Sequence, residues 1–265
     1  MSNPSVFPPL HTIKPTSTST HTIIALHGRG SQGPEFAEEL FEGQTSAGKT
    51  LQEHLPSYKW VFPSSQERYS TVFQEEMDEW FDLYSLSNPS AREELQTEGL
   101  KDSVGFLQNL IRDEISLLDS DASRIILMGI SQGCATALVA MLVRQRKLGG
   151  FIGFSGWMPF RAPIEEIGRE GSEKPAIHAE ETAAFFETTF GLEGPKPDVA
   201  VLGTRVLLGH AADDEVVDIG LSRRACAALE GLGMEVEWKE YRDGGHWISE
   251  PQDYDDIVAF LARGA

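Results

Sequence analysis

Arg124-Ile125-Ile126-Leu127-Met128-Gly129-Ile130-Ser131-Gln132-Gly133-Cys134-Ala135-Thr136-Ala137-Leu138 is the stretch on which the fold turns. Ile125 to Met128 form a short apolar run with β-branched side chains, so residues 124–128 read as a buried strand. From Gln132 to Arg146 the chain is apolar at most positions and long enough for a helix, which places that helix near the centre of the molecule. Only Gly129 to Gly133 remains for the turn between them. Gly-x-Ser-x-Gly in that setting marks a nucleophile turn. The sharp reversal strains the serine backbone and lifts its hydroxyl off the sheet, and flanking glycines avoid clashes there. Without the strand before it and the helix after it, the same pentapeptide is a weak signal.

Working outward, strand-like and helix-like runs alternate. Thr22 to His27 is a short apolar run ended by Gly28 and Gly30, a strand feeding a glycine loop. Glu35 to Phe41 reads as helix, and Tyr58 to Phe62 as a strand stopped by Pro63. Residues 64–100 are irregular and contain Trp80, Phe81 and Tyr84. Val104, Leu107, Leu110, Ile111, Ile115 and Leu118 fall at helical spacing. Downstream, Gly150–Ser155, Thr204–His210 and Glu235–Tyr241 read as strands, and Ile219–Leu232 and Pro251–Arg263 as helices. This alternation predicts an α/β fold with a mostly parallel central sheet and helices on both faces.

Two segments stand apart. Residues 1–21, rich in Pro, Ser and Thr, read as a flexible N-terminal arm before a single domain over 22–265. Residues 161–203 contain Pro163, Pro175, Pro195 and Pro197 and interrupt the alternation as an insertion. Within it, Glu180 to Phe190 forms a helix presenting Phe185, Phe186 and Phe190. That helix is either a surface excursion packed down by its own aromatics or a lid-like wall of a substrate channel.

Composition narrows the function classes. The 265 residues suit one α/β domain, and 40% hydrophobic residues supply its core. A formal net charge of -19 repels nucleic acid and anionic membrane surfaces and favours a neutral substrate or a basic partner. Two cysteines give no disulfide framework and no zinc spacing. With no secretory leader pattern and no apolar run approaching the roughly 20 residues of a membrane span, a cytoplasmic enzyme is expected. Nothing in the sequence points to a homo-oligomer.

A serine hydroxyl needs a base to become a nucleophile. In folds built on this turn the chain order is Ser, then acid, then His. His246 is the histidine that follows the last strand, in the flexible loop Gly244-Gly245-His246. The acid belongs after the preceding strand, where Asp213, Asp214 and Glu215 compete; Asp218 reads as a helix N-cap. The oxyanion of a tetrahedral intermediate needs at least two donors. The backbone N–H of Gln132 and that of Arg29, in His27-Gly28-Arg29-Gly30, are the candidates. The Arg29 side chain is also placed to meet an acidic substrate group. Cys134 lies inside the helix and reads as packing, and His27 as a loop-stabilising residue. His11, His21, His54 and His178 carry no metal-ligand pattern and read as surface. Trp80, Trp157, Met158, Phe185 and Phe186 are the substrate-pocket candidates.

These segments resemble, in order from about residue 22 to the C-terminus, the acyl-protein thioesterase and carboxylesterase family, also called the phospholipase/carboxylesterase family. Leu26-His27-Gly28-Arg29-Gly30 resembles its L-H-G-x-G loop, and Trp80-Phe81-Asp82 its W-F-D segment, which borders the active site there. Gly129-Ile130-Ser131-Gln132-Gly133 resembles its G-F-S-Q-G turn, and Ser155-Gly156-Trp157-Met158-Pro159 its S-x-W-L-P segment. His210-Ala211-Ala212-Asp213-Asp214 resembles its H-G-x-x-D, whose fifth residue is the acid, and so selects Asp214. Gly245-His246 falls where the family's catalytic histidine falls. The resemblance implies a compact α/β-hydrolase fold and hydrolysis of carboxylic esters, S-acyl cysteines on acylated proteins or lysophospholipids, without a cofactor or metal. Ala211, Ala212, Glu215 and Cys134 depart from the family's usual residues without removing a catalytic group, and 161–203 is longer than its usual connection. A hydrolase dedicated to one specialised ester, lactone or carrier-bound thioester is the alternative. A non-catalytic ligand-binding protein is the second alternative.

Overall fold

A computed structural model of the chain describes residues 6–144, 146–170, 175–192 and 199–263. The apolar runs become β2 (His21–Leu26), β3 (Tyr58–Phe62), β6 (Ile125–Ile130), β7 (Gly150–Phe154), β8 (Val206–Ala211) and β9 (Val236–Tyr241). Together with a short edge strand β1 (His11–Ile13) they form one sheet in the order β1-β3-β2-β6-β7-β8-β9. Every neighbouring pair is parallel except β1 with β3. β6, β7 and β8 are buried at every residue, as expected of parallel strands covered on both faces.

The side-chain alternation of the strands builds two cores. Ile24, Leu26, Ile125 and Leu127 point into one, and Ile23, Ala25, Ile126 and Met128 into the other. The first core is covered by α3 (Gln96–Ser116), α4 (Gln132–Arg144), α6 (Pro175–Phe190) and α7 (Ile219–Gly231), and the second by α1 (Gly33–Glu42) and α8 (Gln252–Ala262). α4 is buried from Gln132 to Val143, which is why its sequence shows so little polar face. α2 (Leu51–His54) and α5 (Arg161–Glu170) complete the eight α-helices among the described residues.

Three stretches differ from the sequence reading. Residues 1–5 of the expected arm lie outside the described residues. His11–Ile13, however, pair with β3, Ile13 opposite Trp60, and Phe7 stacks on Phe106 at 4.1 Å. Three residues are too few to display a strand period, so composition alone suggested a loose segment. Within the irregular 64–100 stretch, β4 (Gln66–Ser70) and β5 (Glu75–Glu79) form an antiparallel hairpin, Gln66 opposite Glu79. In the insertion, residues 171–174 and 193–198 lie outside the described residues. Of the rest, α6 turns Ala179, Ala183, Phe186 and Phe190 inward, with the last two rings stacked at 5.6 Å. These positions follow the helical period, so the aromatics serve the α3–α4 side of the core.

The chain runs from β2 outward to β3, then returns to place β6 on the other side of β2. A crevice opens at the carboxyl ends of strands where strand order reverses in this way. The loop after β2 and the turn after β6 meet at that point.

Candidate active site

Ser131 sits between β6 and α4 at φ 54, in the left-handed region that a non-glycine residue rarely occupies. Its N–H donates to the Phe154 carbonyl at 2.9 Å, and its own carbonyl accepts from Ala135 N–H at 3.1 Å. The flanking glycines are required by close approach. A Cβ on Gly129 would lie 2.6 Å from the carbonyl carbon of Gly133, and one on Gly133 would lie 2.4 Å from the carbonyl oxygens of both Leu26 and His27. A Cβ on Gly28 would reach 3.5 Å from that of Ser131, so the loop after β2 lies against the nucleophile turn.

One segment ties this loop to the start of α4. Trp80 donates its indole N–H to the His27 carbonyl at 2.9 Å and its backbone N–H to Gln132 Oε1 at 2.9 Å. Gln132 Nε2 donates to the Phe81 carbonyl at 2.7 Å, and Gly30 N–H donates to the Asp78 carbonyl at 2.7 Å. The backbones of Arg29 and Gln132, the two oxyanion-donor candidates, are therefore fixed through a common strip, residues 78–81. His27 is fully buried, with Nδ1 2.6 Å from the Gly28 carbonyl and Nε2 accepting from Ser65 N–H at 2.9 Å. Burial pushes its pKa down to about 4, so the ring stays neutral and holds the loop.

Asp214 and His246 come together from the loops after β8 and β9. His246 Nδ1 donates to Asp214 Oδ2 at 2.7 Å. Asp214 Oδ1 accepts from Val216 N–H at 2.8 Å and Val217 N–H at 2.9 Å. Burial of this carboxyl favours its neutral form, but the His246 bond and the two backbone donors outweigh burial and hold its pKa below the ordinary value. Asp213 takes a different part, accepting from Gly245 N–H at 2.8 Å and so joining the two loops. Asp218 caps α7 through Gly220 N–H at 2.9 Å. The His246 loop turns through Gly244 at φ 138 and Gly245 at φ 60.

Ser131, His246, Gln132, Gly28 and Arg29 all line one cavity of about 220 Å³. Its apolar walls are Phe36, Leu83, Leu86, Ile130, Trp157, Val216 and Trp247, and Glu39 stands at its edge. Of the five pocket candidates, Trp157 is on that wall and four are elsewhere. Trp80 is fully buried behind the loop it holds. Met158 faces a separate cleft on the other side of Trp157. Phe186 belongs to the core beneath α6, and Phe185 packs partly buried against it. Leu83, Leu86 and Trp247 escaped the sequence reading although each lies within four residues of a recognised motif, which is the signal that could have found them. His178, expected at the surface, is buried with Nδ1 3.2 Å from the Leu232 carbonyl. Cys134 fills the space beside Gly153 and Gly156, where an added Cβ would come within 2.5 Å of its sulfur. Burial pushes its thiol up to about 12, which leaves it inert.

Known proteins resemble this chain in sequence and in fold. The family profile described as Phospholipase/Carboxylesterase covers residues 9–178. Acyl-protein thioesterase 1 of Gibberella zeae is 29% identical over 265 residues, covering 98% of this chain and 94% of its own. Its namesake from Yarrowia lipolytica is 34% identical over 160 residues, covering 58% of this chain and 65% of its own. The crystal structure of acyl-protein thioesterase 2 from Zea mays superposes with a TM-score of 0.71 at 25% identity, covering 97% of this chain and 99% of that one.

Proposed function

Because this chain belongs to the phospholipase/carboxylesterase family, we propose that it is a serine hydrolase cleaving carboxylic esters or thioesters through an acyl-enzyme on Ser131. One observation carries the reading: a buried Asp214–His246 hydrogen bond of 2.7 Å opens onto the same cavity as a serine held at positive φ. Asp214 is ionised and accepts the Nδ1–H, so the neutral ring of His246 keeps Nε2 bare. Nε2 takes the Ser131 hydroxyl proton as Oγ bonds to the substrate carbonyl carbon. The backbone N–H groups of Arg29 and Gln132 receive the oxyanion, and the latter adds the positive end of α4. As the tetrahedral intermediate collapses, the bond to the alcohol or thiol breaks and His246 returns the proton to the departing oxygen or sulfur. Water repeats the sequence and frees the acid. The apolar cavity wall suits an acyl chain, and the relatives' names support an acylated protein or small acyl ester as substrate.

A fluorophosphonate probe is expected to label the wild type and to leave Ser131→Ala unlabelled. That variant should also lose at least about a thousandfold in kcat on p-nitrophenyl esters. Labelling that survives the substitution overturns the assignment. Rates on p-nitrophenyl esters, palmitoyl thioesters and lysophospholipids then rank the substrate classes, and poor rates on all three point to a dedicated substrate.

A further inference from the structure

His210, the next-to-last residue of β8 and four positions before Asp214, is fully buried and has no part in the reaction just described. Its surroundings are nevertheless specific. Nε2 lies 3.0 Å from Asp214 Oδ2, the oxygen that also receives the His246 proton, and 2.9 Å from the Val217 carbonyl. Both neighbours only accept, so Nε2 carries the hydrogen. On the opposite side, Nδ1 lies 2.7 Å from Ser222 Oγ. The Ser222 hydroxyl in turn sits 2.5 Å from the Gly156 carbonyl. Its single proton can serve only one of the two, so the two acceptors at Nε2, and not Ser222, fix the tautomer.

We propose that His210 is a positioning residue for the catalytic acid, its Nε2–H shared between the Val217 carbonyl and Asp214 Oδ2. The inference rests on the reading of Asp214 and His246 given above. Asp214 then meets two backbone N–H groups on Oδ1 and, on Oδ2, the His246 N–H together with the shared N–H of His210, so each side of the carboxylate is occupied. A carboxylate held in this way cannot rotate, and its charge is divided between two rings. His246 is held in register while Asp214 stays a weaker base than a carboxylate facing one imidazole alone. Burial keeps His210 itself neutral, its pKa lowered, so it acts as a dipole and not as a second cation. The chain of contacts continues through Ser222 to Gly156, the residue before Trp157 on the cavity wall. The acid and the substrate-facing wall are thereby joined by one continuous set of polar contacts.

The readout is the acidic limb of the pH profile of kcat/KM, which reports His246. Other charges near the group are Asp213 beside the His246 loop, Glu240 paired with Arg223 on β9 and α7, and Glu39 and Arg29 at the cavity. These are unchanged by the substitutions and cancel in the comparison. Removing one donor makes Asp214 more basic, so it holds protonated His246 more tightly. His210→Phe is therefore expected to move the limb to higher pH by about half a unit or more and to lower kcat about tenfold. Ser222→Ala, which removes the contact that holds the ring on its Nδ1 side, should move it in the same direction. His210→Gln places an amide N–H near the position of Nε2–H and should return the limb towards its wild-type pH. A limb that stays put in both His210→Phe and Ser222→Ala, with thermal stability alone reduced, overturns the proposal. Side-chain 15N NMR of the wild type decides the matter if the variants fail to fold. A hydrogen on Nε2 of His210 is expected, and a hydrogen on Nδ1 alone overturns it. Neither result depends on turnover, so failure here is distinct from failure of the hydrolase assignment, which the Ser131→Ala labelling tests.

Discussion

At the scale of single residues, the most legible positions are those whose identity is imposed by close approach or by chain order. Gly129, Ser131 and Gly133 declare themselves because only small residues fit between β2, β6 and α4. Gln132 is the opposite case. Its side chain matters through Trp80 and Phe81, about fifty positions away, and nothing in the local sequence announces that partnership. Glu79 is a third kind, a fully buried carboxyl at the end of β5 whose two oxygens find no hydrogen-bond partner among the described residues. Burial, assisted by nearby Asp82, pushes its pKa up to about 8 from an ordinary 4.5. The native state keeps a proton that the unfolded chain releases, so stability falls as pH rises from about 4.5 to about 8. Glu79→Gln should flatten that slope by about 1 kcal/mol per pH unit, measured by urea unfolding at pH 5, 6, 7 and 8. An unchanged slope would show that Glu79 titrates normally.

Elements were readable in proportion to the period they could express. The buried parallel strands and α3 repeat their apolar residues often enough to be recognised. β1, with three residues, and the hairpin β4–β5, whose second strand is Glu75-Glu76-Met77-Asp78-Glu79, are not. Such a polar strand owes its shape to its partner and to the loop after β2, which it holds through Gly30. α6 was legible as a helix, but its aromatic residues admit two destinations, the crevice or the core. The structure sends Phe186 to the core among α3 and α4. Phe186→Ala should therefore destabilise the protein by about 3–5 kcal/mol while leaving KM for a p-nitrophenyl ester in place. A raised KM with unchanged stability would return this helix to the substrate path.

For the molecule as a whole, the class of fold could be read in advance, because it follows from alternation and from ordered motifs. The pairing of distant strands could not be. β2 lies beside β6, joining Thr22 to Ile125 and Leu26 to Gly129, and the proposed acid and base arrive only with β8 and β9. No contiguous fragment holds Arg29, Ser131, Asp214 and His246 together. Esterase activity and the sheet should thus be lost in one transition, and urea titrations followed by activity and by far-ultraviolet circular dichroism are expected to share a midpoint. Activity lost well before the sheet would mean that the loops melt independently. A different consequence follows from the way Cys134 is wedged among glycines, with Cys226, the chain's second cysteine, also buried. In a mixed extract, iodoacetamide or a maleimide will silence thiol-dependent hydrolases and pass this chain by, and on the proposed Ser131 chemistry serine reagents will single it out.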